Sequence, residues 1–201
     1  MKMVIATSNP GKAREMRTAL ERAGLEILTR EHFNSWPQVE ETGQTLEENA
    51  RIKAFAFLEA FGVTALADDS GLMVDPLGGR PGVHSSRYAG PGGDAAANTR
   101  LLLKELEGVP PGERTARFVC VLALALPGGA VFLSTGECRG EILTAPRGRG
   151  GFGYDPVFRP EGYSISMAQM STEEKNSISH RGRALEEMAW TLDRLLEGES
   201  G

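Results

Sequence analysis

Two pairs of adjacent carboxylates are the side chains of this sequence best suited to do chemistry. Glu40-Glu41 lies in a polar stretch, and Asp68-Asp69 follows the apolar run at residues 63–67. That run is typical of a short buried strand, and open α/β sheets carry ligand-binding groups at the carboxyl ends of their strands. Carboxylates at such a position can hold a metal ion. Aspartate is also common in turns, however, and Ser70-Gly71 predicts a turn directly after the pair, so both interpretations are open here.

The segment Thr7-Ser8-Asn9-Pro10-Gly11-Lys12 contains the groups of a phosphate-binding site. It offers backbone N–H groups at a helix start, two hydroxyls and an ammonium group. Asn9 suits the N-cap position, and Pro10 suits the first helical turn. The segment is not a P-loop, because Ala13 rather than Ser or Thr follows Lys12. A plain helix cap and a phosphate site are both compatible with these residues.

A glycine-rich segment at residues 148–153 matches the dinucleotide-binding pattern G-x-G-x-x-G, but that match is rejected. The fingerprint requires a helix to follow, whereas Pro156 removes a backbone donor and disfavours the helical conformation at Asp155. A loop that presents Phe152, Tyr154 and Asp155 describes the segment better. Such a loop could stack a base while the carboxylate accepts its N–H groups, or it could be a tight turn with core aromatics.

The last motif places cations at a helix start. Residues 171–175 form a capping-box pattern that ends in Lys175, and Ser179-His180-Arg181-Gly182 then opens the final helix. Cations at the amino end of a helix oppose its dipole, which favours either a nearby anion or carbonyl, or a solvated surface pair. The remaining histidines, His32 and His84, form no cluster with a cysteine, so no zinc site is expected.

The elements that must position these residues alternate between strands and helices. The amphipathic helix that starts at Asn9 places Met16, Leu20 and Ala23 on one side. A Thr45/Glu48 capping box opens a helix that carries Asn49 and Lys53 one turn apart on the same face. Strands are expected at residues 2–6, 26–29, 117–126 and 130–143, and Pro127-Gly128-Gly129 joins the last two as a hairpin turn. Further helices are expected at about residues 94–107 and 180–196, and a long functional loop at residues 75–93.

Composition excludes several classes of protein. The chain has 201 residues, 40% hydrophobic and 24% charged, and a formal net charge of -5, which is typical of a folded soluble protein. The negative charge and the lack of a long basic run argue against nucleic-acid binding. No apolar run could span a membrane and the start lacks a signal-peptide core, so the cytoplasm is the expected compartment. Cys120 and Cys138 are expected to be buried thiols.

Taken together and in order, the motifs resemble the inosine/xanthosine triphosphate pyrophosphatase family. The resemblance covers nearly the whole chain, and no position that would carry the chemistry departs from the family pattern. The residues that carry it are Ser8-Asn9-Pro10-Gly11-Lys12, Glu41-Thr42-Gly43, Glu48-Asn49-Ala50, Ala67-Asp68-Asp69-Ser70-Gly71, Gly151-Phe152-Gly153-Tyr154-Asp155-Pro156, Glu174-Lys175-Asn176 and Ser179-His180-Arg181-Gly182.

The resemblance implies a single pyrophosphatase domain over residues 1–201 with an α/β fold. In that fold an elongated mixed β-sheet with flanking helices forms two lobes around a central substrate cleft. The resemblance also implies a magnesium-dependent homodimer that hydrolyses ITP, dITP and XTP to the monophosphate and pyrophosphate. Two alternatives are a pyrophosphatase for other modified nucleotides and a catalytically silent nucleotide sensor, although a sensor would not need a general base.

Carried onto this chain, the resemblance implies a role for each matching residue. Asp69 would be the general base, and Glu41 and Asp69 would hold Mg²⁺. The implied contacts with the triphosphate are Thr7, Ser8, Asn9 and Lys12, and Lys53 would stabilise negative charge on the phosphate oxygens. The other implied substrate contacts are Ser70, Phe152, Gly153, Tyr154, Asp155, Lys175, His180 and Arg181. Such a set suits Mg²⁺, which takes oxygen ligands and shares them with substrate phosphates.

Overall fold

A computed structural model describes residues 1–22 and 24–198. Within these residues, seven strands and five helices form an α/β fold. The strands are β1 (Lys2–Ile5), β2 (Glu26–Leu28), β3 (Thr64–Val74), β4 (Pro81–Gly82), β5 (Thr115–Ala125), β6 (Val131–Ile142) and β7 (Phe158–Pro160). The helices are α1 (Pro10–Leu20), α2 (Leu46–Phe61), α3 (Ala95–Glu105), α4 (Thr172–Ile178) and α5 (His180–Gly198). Ala23, expected on the apolar side of α1, lies outside the described residues.

The strands make one mixed sheet in the order β2-β1-β3-β5-β6-β7, with β4 paired to β3. Strand β1 is parallel to both of its neighbours, so that Met3 lies opposite Ile27 on one side and Thr64 on the other. The β3–β4 and β6–β7 pairs are antiparallel. The expected α/β class with a mixed sheet is therefore confirmed.

The chain divides into two compact units. The first unit comprises Met1–Asp69, Cys120–Gly136 and the chain from Arg181 onwards, and the second comprises Ser70–Val119 and Glu137–His180. The first unit has an apolar core that includes Met3, Met16, Leu66, Leu122 and Leu185. The core of the second unit includes Leu72, Leu102, Ile142, Tyr154 and Phe158. Cys120 and Cys138 are both buried thiols, as expected.

Local hydrogen bonds explain where the helices begin. The Asn9 side chain accepts from the N–H groups of Gly11 and Lys12 and so caps α1. Thr45 and Glu48 form the expected capping box at α2, and Ser171 and Glu174 form another at α4. These caps confirm the helix starts that the sequence predicted.

The prediction of a turn at Ser70-Gly71 is wrong, because β3 continues through these residues to Val74. Leu72 and Met73 pair with β4, and Leu72 also packs in the core of the second unit. The chain turns only at the short 3-10 helix Asp75–Leu77. Asp68 and Asp69 therefore lie in the middle of a long strand rather than at its carboxyl end.

The segment at residues 75–93 is more regular than the long loop that the sequence predicted. It contains β4 and the 3-10 helices Asp75–Leu77 and Ser85–Arg87. Across residues 1–22 and 24–198, no helix is both long and apolar enough to cross a membrane.

Candidate active site

Asp68 is the centre of a buried charge cluster in the first unit. Its side chain is 1% exposed, and its Oδ2 lies 2.8 Å from Lys12 Nζ and 3.7 Å from Arg181 Nε. Burial alone would raise the pKa of Asp68, but the nearby cations Lys12, Arg181 and Lys53 hold this pKa well below its usual range. Asp68 is therefore an ionised carboxylate that pairs with Lys12 and Arg181, while Lys53 adds a third positive charge nearby.

Lys53 links Glu41, one of the two predicted metal ligands, to the backbone of β3 beside Asp69, the other. Its Nζ lies 2.5 Å from Glu41 Oε1 and donates to the backbone oxygen of Asp68 at 2.9 Å. Burial would lower the pKa of Lys53, yet the negative charges of Asp68, Glu41 and Asp69 raise this pKa above its ordinary value. The structure thus brings Lys53 into contact with Glu41 and close enough to Asp69 to feel its charge, although 27 residues of the sequence separate the two carboxylates.

The carboxylates of this cluster suit a Mg²⁺ site better than a structural zinc site. Among the described residues, no group of three or more His, Cys, Asp and Glu side chains could hold a metal ion. Structural zinc sites need four protein ligands, whereas Mg²⁺ commonly takes one or two carboxylates and completes its shell with waters and substrate phosphates. Glu41 and Asp69 therefore fit Mg²⁺ that is shared with a phosphorylated substrate.

The predicted phosphate segment is a capped helix start with an exposed outer surface. Asn9 Oδ1 accepts from Gly11 N at 2.9 Å and Lys12 N at 3.2 Å, and Thr7 Oγ1 accepts from Asn9 N at 3.2 Å. Ser8 and Asn9 are exposed, whereas the Lys12 side chain turns towards Asp68. A helix cap and a phosphate site are compatible here, because the cap orders the backbone that a phosphate would contact.

Arg181 of the same buried cluster has a second partner, Glu15, which the sequence did not indicate as a site residue. Its Nη1 lies 2.9 Å from Glu15 Oε2. Burial would lower the pKa of Arg181, but Asp68 and then Glu15 help to raise it. The signal for Glu15 was its spacing, because residues three apart on a helix share a face and Lys12 was already a candidate.

Asn49 is the second residue that the sequence reasoning left without a role. It is fully buried in the first turns of α2, and its Nδ2 donates to Asp69 Oδ2 at 3.1 Å. The sequence places Asn49 one turn before Lys53 on the same face of the helix. Nothing local to α2, however, indicates that a carboxylate of β3 would lie beside it.

The second unit contains the predicted base-binding loop, which is organised by Asp155. Its Oδ2 accepts from Phe152 N at 2.7 Å and lies 2.5 Å from Lys175 Nζ. Gly151 has a φ of +73°, and a Cβ there would clash with the Asp155 carboxylate. Phe152 is 59% exposed, and Lys175 Nζ lies 4.2 Å from the centroid of its ring, within the range of a cation–π contact. The loop therefore presents one exposed ring backed by an ammonium group.

Two other predicted contacts of the second unit, Tyr154 and His180, are buried, unlike Phe152. Tyr154 packs in the core and donates its hydroxyl to Ser85 O at 2.9 Å, and burial raises the pKa of that hydroxyl. The His180 ring is buried and stacks on Phe118, with 5.0 Å between the ring centroids. Of the two loop aromatics, Phe152 is thus the one available to stack on a ligand.

Comparisons with known proteins agree with this arrangement of motifs. A sequence model of the Ham1 family matches residues 3–190. A protein of Desulforamulus reducens named dITP/XTP pyrophosphatase is 48% identical over 195 residues, which cover 97% of each chain. A protein of the same name from Geobacter sulfurreducens is 50% identical over 184 residues, 92% of each chain.

Solved structures show the same fold. A HAM1 protein from Coxiella burnetii has a TM-score of 0.90 at 40% identity, covering 96% of this chain and 99% of that chain. The Ham1 protein of Staphylococcus aureus has a TM-score of 0.88 at 37% identity, covering 96% and 98% respectively.

Proposed function

The chain belongs to the Ham1 family, and on that premise we propose that it hydrolyses non-standard purine nucleoside triphosphates such as dITP, XTP and ITP to the monophosphate and pyrophosphate. The names of relatives that are about half identical to it support this substrate class. The observation that carries the proposal is the buried cluster around Asp68. This cluster gathers carboxylates and cations that a phosphate-transfer reaction requires.

In the proposed reaction, Asp69 is the general base. Its carboxylate takes a proton from the water that attacks the α-phosphorus. A bond forms from the water oxygen to phosphorus, and the bond from phosphorus to the bridging oxygen of the pyrophosphate group breaks. Lys12 and Lys53 stabilise negative charge on the phosphate oxygens, and their contacts with Asp68 hold both ammonium groups in place beforehand.

Magnesium is the proposed cofactor, held by Glu41 and Asp69. When bound, it would neutralise charge on the substrate phosphates. The chain's own contribution is to hold Asp69 by the hydrogen bond from Asn49 and Glu41 by the ion pair with Lys53. The short contact from Lys53 to Glu41 indicates that an ammonium group already compensates charge there.

The loop of the second unit is proposed to bind the base. Phe152 would stack on the purine, and Lys175 and Asp155 would contact its polar edge. A donor such as the Lys175 ammonium suits a 6-oxo group. The 6-amino group of adenine would leave that donor unpaired, and such mismatches can discriminate by about 10⁴ or more.

Replacing Phe152 with alanine is expected to weaken nucleotide binding by about 1–3 kcal/mol, because a stacked base loses its aromatic partner. The dissociation constant of a non-hydrolysable α,β-methylene analogue of ITP, measured by calorimetry, tests this expectation. Tyr163→Ala is a matched control, since Tyr163 is another exposed aromatic of the second unit. Unchanged affinity in Phe152→Ala would make Phe152 a packing residue.

The reaction itself is tested by incubating the purified protein and Mg²⁺ separately with ITP, XTP, ATP and GTP. We expect pyrophosphate and monophosphate from ITP and XTP only. Release of orthophosphate instead would overturn attack at the α-phosphorus. No release from any of the four nucleotides would favour a catalytically silent sensor, and omission of Mg²⁺ tests the cofactor.

We also propose that the protein acts in the cytoplasm as a homodimer, removing non-standard nucleotides from the pool. Sedimentation equilibrium of the purified chain tests its oligomeric state. A mass close to the 21.6 kDa of one chain would contradict the dimer.

A further inference from the structure

Asn49 contacts both segments that carry the proposed metal ligands. Its Nδ2 donates to Asp69 Oδ2 at 3.1 Å, and its Oδ1 accepts from Gly43 N at 2.8 Å. Gly43 lies two residues after Glu41, so one side chain links the strand of one carboxylate to the loop of the other. The Asn49 side chain is 0% exposed, which shields both hydrogen bonds from competition with water.

The chemistry of this position suits an amide. A carboxamide has both a donor group and an acceptor oxygen, and each is used here on a different segment. A carboxylate would lack the donor for Asp69 and would place a second negative charge beside it. An apolar side chain would leave Asp69 Oδ2 and the Gly43 N–H without these hydrogen bonds.

The loop that carries Glu41 is held closely against α2. Glu48 Oε2 accepts from Gln44 N at 2.6 Å and Thr45 N at 3.2 Å, next to the bond from Gly43 to Asn49. A Cβ on Gly43 would lie 2.6 Å from Glu48 Cβ and 2.7 Å from Asn49 Oδ1. Glycine is therefore needed for this close approach, which sets the backbone position two residues from Glu41.

We propose that Asn49 is a positioning residue that sets the geometry between Glu41 and Asp69, and thereby the affinity of the site for a divalent cation. This inference rests on the proposed function. Outer-shell partners of metal-binding carboxylates typically change metal affinity or activity by about 10- to 100-fold when they are replaced. In this proposal Asn49 touches neither the substrate nor the metal ion, because it acts through Asp69 and through the loop that carries Glu41.

The test compares Asn49→Leu, which keeps the approximate shape but neither hydrogen bond, with the unmodified protein. Mn²⁺ binding to the protein alone, followed by electron paramagnetic resonance, is expected to weaken about tenfold or more. The Mg²⁺ concentration for half-maximal rate should rise in parallel and kcat should fall, while KM for ITP stays within about threefold. Unchanged Mn²⁺ affinity and Mg²⁺ dependence, with only a lower denaturation midpoint, would overturn the proposal.

Asn98→Leu is the matched control for a buried asparagine. Asn98 is 4% exposed, donates to Ser86 O at 3.1 Å and accepts from Ala89 N at 2.7 Å, so its loss should destabilise the fold without changing Mn²⁺ affinity. Gly43→Ala would disturb the same contact from the loop side, because its Cβ would crowd Glu48 and Asn49. This variant should weaken Mn²⁺ binding, and it provides a test even if Asn49→Leu does not fold. Equal Mn²⁺ affinity in Gly43→Ala and the unmodified protein would also overturn the proposal.

The two hypotheses fail in different ways. If the unmodified protein releases no pyrophosphate from any nucleotide, the proposed function fails. The Mn²⁺ measurement needs no turnover, so it still decides whether Asn49 positions the carboxylates.

Discussion

Replacing Asp69 with asparagine is expected to lower kcat by about 10² or more while nucleotide affinity changes little. Asparagine has the same shape as aspartate but cannot take a proton from water. The rate of pyrophosphate release, together with the dissociation constant of the α,β-methylene ITP analogue, separates loss of turnover from loss of nucleotide binding.

The control for this prediction is Asp75→Asn, in the turn that directly follows β3. Asp75 pairs with Arg117 in an exposed salt bridge outside the proposed site, so its replacement should leave kcat close to that of the unmodified protein. A kcat near the unmodified value in Asp69→Asn would remove Asp69 from the mechanism as the general base.

Replacing Asp68 with alanine is expected to lower the free energy of unfolding by about 3–5 kcal/mol. The variant leaves Lys12 and the buried Arg181 without their shared carboxylate, and uncompensated buried charge is costly. Urea denaturation of both proteins, followed by circular dichroism, measures this difference.

Asp193→Ala is the control for an ion pair at the surface. Asp193 pairs with Arg22, but its side chain is 56% exposed, so its loss should change stability by about 1 kcal/mol or less. A similarly small effect of Asp68→Ala would show that the cluster contributes little to the fold. Asp68→Asn, which keeps the shape and some hydrogen-bonding capacity, should give an intermediate loss.

Local sequence signals predicted much of this fold because their physical causes are local. An Asn9 side chain can cap only the helix that follows it, and the Thr45/Glu48 box fixes the start of α2 in the same way. Pro127-Gly128-Gly129 predicted the turn between β5 and β6 for a similar reason, since glycine permits positive φ angles. The order of the motifs also identified the family, which the comparisons confirm.

The extent of β3 depended on a partner that is distant in sequence. Ser70-Gly71 is a reasonable turn by local preference, yet the strand continues because Leu72 and Met73 pair with β4. Two adjacent carboxylates could remain inside this strand because Lys12 and Asn49 come from other elements to compensate them.

The helix caps, the hairpin and the set of chemical groups can be read from the sequence, because each depends on neighbours within a few residues. Which of these groups meet depends on the three-dimensional fold. It placed Glu15 on Arg181 and Asn49 between Asp69 and the Glu41 loop, and it buried Tyr154 while exposing Phe152. Burial and long-range hydrogen bonds depend on the packing of whole elements, and no short pattern encodes that packing.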